Sequence, residues 1–164
     1  MTEAQVLADT LDKTRDLTRF YLSNLKEVNP EEPIVVNGEN INSLYWICAH
    51  LLWAENNLAI RMCGGESVAP EWAENFAIKS SGVLPADKPD FKTLLQEMKR
   101  VHEAALQYIR TLSTEQLNEE NTAQFHFGDG NTSKRLMIQH CIRHEGTHLG
   151  QLSLIARILG KKLI

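Results

Sequence analysis

Three histidines recur at intervals of four residues near the carboxyl-terminal end of the sequence: His140, His144 and His148. Residues four apart lie on one face of an α-helix, about 6 Å apart along its axis. Two imidazoles at that spacing can bind a common metal ion through nitrogens about 2.0–2.1 Å from it. The outer two are separated by about 12 Å along the axis, which is too far for all three to share one ion. The spacing therefore predicts a metal-binding helix, with either His140 and His144 or His144 and His148 as the pair.

The run from His144 to His148 also matches H-E-x-x-H, the signature of zinc proteases, in which the glutamate acts as general base. Such enzymes need a third ligand further along the chain, but no Asp, Glu or His follows His148. A metalloprotease is therefore the least favoured of the functional hypotheses. Glu145 is then expected to lie in solvent or to support a metal ligand.

A third ligand must come from earlier in the sequence. His50 lies in the strongly apolar run 46–53, where a polar ring needs a partner. His102 follows Met98 by four residues and is predicted to face inward, as a core histidine, a proton shuttle or a further metal contact. His126 lies between two phenylalanines on a predicted loop. We expect His50 first as the third ligand, then His102.

Four helices are predicted to position these side chains. Apolar residues at three- and four-residue spacing indicate amphipathic helices over about residues 2–25, 42–63, 90–112 and 132–159. Asn40 or Asn42 is the expected N-cap of the second helix and Asp90 of the third, while Gly64 and Gly160 are the expected ends of the second and fourth. Helices of this number and length predict an all-α fold, a four-helix bundle.

Long connections join helices 2 and 3 and helices 3 and 4, and loops of this length are usually functional or disordered. The first, residues 64–89, carries Trp72 and Phe76 and is predicted to include a short helical turn packed on the bundle. The second, residues 113–131, opens with a capping-box pattern. Around a Gly-Asp-Gly turn at 128–130 it is predicted to hold two short extended runs at most.

Composition limits the kind of protein. The 164 residues, with 43% hydrophobic and 23% charged, indicate a single globular domain over residues 1–164. A net charge of −4 without a basic stripe argues against a nucleic-acid partner. The longest apolar stretch, 44–54, is too short to span a membrane. Three cysteines without a CxxC pair and a polar amino-terminal segment predict a cytoplasmic protein rather than a secreted one.

The pattern His144-x-x-x-His148-x-Gly150-Gln151, together with the lone His50 in the second helix, resembles the DinB-like superfamily, also called the DinB/YfiT-like metalloenzymes. The resemblance covers essentially the whole chain and departs from the family pattern at Leu149, where an arginine is usual. It implies a bundle, often dimeric, that binds a divalent metal ion through His50, His144 and His148. Nickel or zinc is the expected metal, with iron or manganese as alternatives, since imidazole suits several ions.

The resemblance also implies an activity. Relatives include metal-dependent transferases and isomerases that use low-molecular-weight thiols, so we expect a thiol S-transferase acting with a thiol and a small electrophile. The alternative is a metal-binding or stress-related bundle without turnover. Gln151 and Asn57 lie one turn beyond His148 and two turns beyond His50, where either could orient a ligand or substrate. His140 becomes a neighbour of the site.

Overall fold

Four long helices form a bundle in the computed structural model, which describes residues 1–128 and 130–163. The first helix packs against the third and the last, and the second packs against the same two. The all-α prediction, with long connections before the third helix and after it, is confirmed. The helices are α1 (Glu3–Asn24), α2 (Leu44–Glu55), α3 (Phe91–Thr111), the short α4 (Thr114–Asn118) and α5 (Lys134–Ile158).

Helix α2 begins later and ends less regularly than its sequence predicts. Its N-cap is Ser43, whose hydroxyl accepts the backbone N–H of Trp46 at 3.2 Å. The predicted cap at Asn40 or Asn42 is wrong, because Asn40 belongs to a strand and pairs with Val35. After Glu55 the chain continues through a π-helical turn, Asn56–Ile60, and a 3₁₀ turn, Arg61–Cys63. It stops at Gly64, as predicted, with φ at +95°.

A small β-hairpin precedes α2 and was not predicted. Its strands β1 (Ile34–Val36) and β2 (Glu39–Ile41) pair in an antiparallel register. The turn residues Asn37 and Gly38 both have positive φ, 52° and 85°. An Asn-Gly pair with this geometry forms a type I′ turn, which matches the twist of the flanking strands. The Asn-Gly dipeptide between apolar residues was the signal for it in the sequence.

The bundle interior consists of two apolar clusters separated by a layer of buried charge. One cluster surrounds His50, and the other lies at the opposite end of the bundle. The first includes Tyr21, Leu25, Ile47, Leu51, Leu94 and Leu152, and the second includes Leu7, Leu11, Ile60, Ile109, Met137 and Ile138. Between them along each helix are four charged or titratable side chains that are almost fully buried: Arg15, Glu55, His102 and Glu145.

The two long connections differ in their secondary structure. The first contains the predicted helical turn, a 3₁₀ segment over Glu71–Phe76, and Phe76 is fully buried in the core around His50. The second contains α4 with its predicted capping box, followed by a single bridge between Glu120 and Ser133. The described residues around 124–130 form no strand, and Asp129 of the predicted turn lies outside the described residues. Within the described chain, none of the helices has both the length and the apolar character needed to cross a membrane.

Candidate metal centre

His50 is held in a fixed orientation on α2. Its ring lies between two indoles, stacked on Trp46 at 4.7 Å between centroids and on Trp53 at 5.7 Å. Its Nδ1 lies 2.6 Å from the carbonyl oxygen of Phe76. A carbonyl only accepts, so Nδ1 carries the proton and Nε2 is left with a free lone pair. The first long connection therefore sets the tautomer of this histidine.

Helix α5 brings two further imidazoles to that free nitrogen. The Nε2 atom of His144 lies 3.2 Å from the Nε2 of His50, and the three possible ligand atoms of His50, His144 and His148 all lie within 4.8 Å of one another. The Nδ1 of His148 is 2.8 Å from the side-chain oxygen of Gln151. That amide oxygen accepts a hydrogen bond from Nδ1–H and leaves the lone pair on Nε2 of His148 free. Among the His, Cys, Asp and Glu side chains of the described residues, these three histidines form the group that is close enough together to hold a metal ion.

The trio fits a transition metal ion. Two nitrogens bound to one tetrahedral zinc ion are roughly 3.3 Å apart, close to the 3.2 Å between His50 and His144. Histidines that bind metals usually donate their other ring N–H to a carbonyl or carboxylate. The partners Phe76 and Gln151 match that arrangement for two of the three rings.

Burial keeps these histidines neutral. Burial, together with the neighbouring His148, His50 and His140, lowers the pKa of His144 to about 3. Burial also lowers the pKa of His50 and of His148, although the hydrogen bonds to Phe76 and Gln151 oppose the shift. A metal ion binds only the unprotonated imidazole. All three side chains are therefore in the ligand form at neutral pH.

Sequence comparison identifies the family. Residues 10–152 match the DinB superfamily, which is most of the chain. The chain belongs to the DinB superfamily. A comparison with curated protein sequences finds no match. The three histidines that the structure brings together in this DinB-superfamily chain are those that the sequence resemblance implied.

Glu145 and His102, two further predicted site residues of this DinB-superfamily protein, lie in the buried charged layer and not in the trio. Arg15 donates to both oxygens of Glu145, at 2.5 and 3.0 Å, and to Glu55 at 2.9 Å. Thr18 donates its hydroxyl proton to Glu145 at 2.8 Å. The expectation that Glu145 could lie in solvent is wrong, since it is 1% exposed. It joins α5 to α1 instead, and so fixes the helix that carries His144 and His148.

His102 faces inward as predicted and is fully buried. Its Nδ1 lies 2.6 Å from Glu55 and its Nε2 lies 3.1 Å from Asp12. Both ring nitrogens are therefore occupied by carboxylates. Of the three roles predicted for it, this arrangement matches that of a hydrogen-bonded core histidine.

Asn57, His140 and His126 are not members of the trio. Asn57 is in the π-helical turn, where its side chain bonds the carbonyl of Trp53 and accepts from Arg61. His140 is a neighbour, with its ring centroid 6.0 Å from that of His144. His126 is exposed on the second connection, 3.6 Å from Glu120.

Gly146 and Gly150 lie on the exposed side of α5. A Cβ atom built at either position meets nothing within 4 Å. Glycine inside a helix costs about 1 kcal/mol relative to alanine. Close packing against another helix of the described chain does not account for glycine at these two positions.

Several supporting residues of the site were missed in the sequence. Arg15 and Glu55 occupy positions in the apolar stripes of α1 and α2, four residues after Leu11 and Leu51. A charged residue in such a stripe is a detectable signal for a buried ion pair. The carbonyl of Phe76 had no such signal, because a backbone acceptor carries no residue type and its position depends on how the first connection folds.

Proposed function

We propose that this DinB-superfamily protein binds one divalent transition metal ion through His50, His144 and His148 and transfers a low-molecular-weight thiol to a small electrophile. The convergence of three neutral imidazole nitrogens, two of them oriented by Phe76 and Gln151, is the observation that carries the proposal. Nickel or zinc is the proposed ion, with iron or manganese as alternatives. The thiol chemistry rests on the family and on the neutral donor set.

The chemistry follows from the charge of the site. A divalent ion held by three neutral imidazoles keeps its positive charge and an open coordination position, and would favour ionisation of a thiol placed there. In the proposed reaction an S–C bond forms, the bond from carbon to its leaving group breaks, and the thiol proton is released to water. Gln151 contributes by holding His148 in one tautomer.

Two exposed phenylalanines lie beside His140, a neighbour of the trio, and favour an electrophile with an apolar body. The rings of Phe127 and His140 pack edge to face with their centroids 4.5 Å apart, and those of Phe125 and Phe127 do the same at 4.9 Å. Phe125 is 43% exposed and Phe127 is 41% exposed. The buried side chain of Asn121 holds this segment, since it donates to the carbonyl of Phe125 and accepts the N–H of the same residue. Such a pair offers a surface on which a flat apolar group can rest.

A protease is not favoured by the position of Glu145. A general base must reach the proton that it removes. The Glu145 carboxylate is instead paired with Arg15 and Thr18 in the charged layer. Casein hydrolysis that is abolished by Glu145→Gln would contradict this conclusion.

Metal content tests the site itself. Elemental analysis of the purified protein should give near-stoichiometric nickel, zinc, iron or manganese, and His148→Ala should lose most of it. The matched control is His126→Ala, which removes an exposed histidine outside the trio. Equal metal content in His148→Ala and the wild type would rule out the proposed site.

Activity separates the two remaining hypotheses. Chelated protein, reloaded with each metal in turn, is mixed with a bacterial thiol and a model electrophile, and S–C bond formation is followed. A metal-dependent rate that is absent from His148→Ala supports the transferase. Full metal binding with no such rate for any common thiol favours the alternative, a metal-binding or stress-related bundle.

We also propose a homodimer and a cytoplasmic location. Exposed apolar side chains on α1 and α5, including Leu17, Phe20, Leu154 and Ile158, offer a surface for self-association. Sedimentation equilibrium at micromolar concentration tests the dimer, and a monomer under those conditions would contradict it.

A further inference from the structure

A large groove between α1 and α3 contains none of the three candidate metal ligands and touches the site only through Arg15 and His102 of the charged layer. Its volume is about 990 Å³, and none of its lining residues belongs to the histidine trio. Its apolar lining comes from five side chains: Leu22, Phe91, Leu95, Met98 and Leu106. A concave, mainly apolar site of this size that also carries a few polar groups has the properties of a small-molecule site.

The groove is long and has two different ends. The contacts of Asp9 with Arg110 and of Asp12 with His102 show that α1 and α3 run antiparallel. Lys26 and Lys92 therefore lie toward one end, and Asp12 lies toward the other. Arg15 and Asn24, the last residue of α1, are separated by nine residues, or roughly 14 Å along the helix axis, and Lys26 lies just beyond that helix end. An extended acyl chain would fit along such a path.

The groove is positively charged on a negatively charged protein. Its lining contains five cationic side chains, Arg15, Arg19, Lys26, Lys92 and Lys99, and two acidic ones, Asp12 and Glu103. The whole chain has 17 Lys and Arg against 21 Asp and Glu. Arg15 is neutralised by Glu55 and Glu145, which lie outside the lining. The other four cations still outnumber the two acidic side chains of the lining, so the local charge has the opposite sign from the net charge.

Two of these cations are available to a ligand. Arg15 is buried in its carboxylate pairs, Arg19 bonds Asp16 at 3.0 Å, and Lys99 lies 3.7 Å from Glu103. In the part of the chain that the structure describes, no carboxylate lies within salt-bridge distance of Lys26 or Lys92. The nearby Asp90 caps α3, and its pKa is lowered mainly by its hydrogen bonds from Thr93 and less by the charge of Lys92. Both side chains are exposed at the same end of the apolar floor.

We propose that this groove binds a monomeric amphiphilic anion, a carboxylate with an extended acyl chain. The carboxylate lies between Lys26 and Lys92, and the chain lies over Leu22, Leu95 and Met98. Charge argues against a second copy of the protein as the occupant, because self-association through this face would bring two sets of cations together. It also argues against a cationic amphiphile.

Calorimetric titration tests the affinity and its charge dependence. Dodecanoate, kept below its micelle concentration, should bind one per chain, and dodecyltrimethylammonium at equal concentration should not. Lys26→Gln/Lys92→Gln should bind dodecanoate about tenfold more weakly, since two exposed ion pairs together contribute about that factor. Lys79→Gln/Lys162→Gln is the matched control, because it removes two exposed lysines that do not line the groove.

Methionine methyl resonances test the location. Met98 lines the groove, whereas Met137 is fully buried in the other part of the core. In ¹³C-methyl-methionine protein, dodecanoate should shift the Met98 signal in proportion to occupancy and leave the Met137 signal unchanged. This measurement needs no metal and no activity, so its result is independent of the proposed transferase.

Four outcomes would overturn the proposal. Equal binding of the cationic amphiphile would remove the role of the lysines, and an unshifted Met98 signal would place the ligand elsewhere. Binding to anionic vesicles without binding of monomeric dodecanoate would identify a membrane surface instead. A dimer that Leu95→Glu dissociates, together with no dodecanoate binding, would show that a second copy covers the groove.

Discussion

The hydrogen bond from His148 to Gln151 should set the metal affinity of the proposed site. In Gln151→Leu, the Nδ1 proton of His148 loses the amide oxygen that lies 2.8 Å away. The ring can then rotate and can exchange tautomers, so that Nε2 no longer faces the other two nitrogens in one fixed form. Loss of such a partner typically weakens metal binding by about 10–100-fold. That range corresponds to about 1.4–2.8 kcal/mol of binding free energy.

Competition with a chromophoric chelator measures the effect for zinc or cobalt. At pH 7 the dissociation constant of Gln151→Leu should rise by that factor. Gln151→Glu should bind at least as tightly as the wild type, because a carboxylate also accepts the Nδ1 proton and makes the imidazole more basic. Gln107→Leu, an exposed glutamine on α3, should leave the affinity unchanged.

The pH dependence gives a second check of the same contact. Burial lowers the pKa of His148, and the bond to Gln151 opposes that shift. Removing Gln151 should therefore lower the pKa further, so that protons compete less with metal in the variant at acidic pH. The difference between variant and wild type should narrow as the pH falls. Equal affinities at pH 7, or an equal loss in Gln107→Leu, would refute the role assigned to Gln151.

Three further predictions concern the frame around the site. Arg15→Leu should lower the free energy of unfolding by about 3–5 kcal/mol in urea at pH 7, because it leaves buried carboxylates unpaired. Burial raises the pKa of Glu55, but Arg15 and His102 outweigh it and hold that pKa below its usual range. The stability that this carboxylate contributes to the wild type is therefore lost as the pH falls through the lowered pKa. The difference in free energy of unfolding between the wild type and Arg15→Leu should shrink in that pH range, and a difference that does not change with pH would contradict the pairing. Gly65→Ala should lower the free energy of unfolding by about 1–3 kcal/mol, since its Cβ would lie 2.7 Å from Ile60. Gly146→Ala should raise that free energy by up to about 1 kcal/mol. Equal changes in melting temperature for the two variants would contradict this difference in packing. Burial raises the pKa of Cys48 and of Cys63 to about 12, so both thiols should react with Ellman's reagent only after unfolding, and rapid labelling of the native protein would oppose this.

The charged layer explains why some polar residues of the sequence were assigned to the wrong surroundings. Glu145 follows a candidate ligand and fits a protease signature, yet its partner is Arg15, 130 residues away. His102 was correctly predicted to face inward, because the helical period alone decides which side of α3 it occupies. Its partners, Glu55 and Asp12, come from two other helices and depend on how those helices pack.

The sequence alone predicts the four helices and a metal-binding pair of histidines, because helical periodicity and the four-residue histidine spacing are local properties of one chain segment. It could not choose between His140 and His148 from spacing alone, and the resemblance was needed to do so. Tertiary structure decided which nitrogens converge and what holds them. The carbonyl of Phe76, the indoles around His50 and the pairing of Arg15 with Glu145 are contacts between distant segments. Such contacts form only when the helices pack, so no local pattern specifies them.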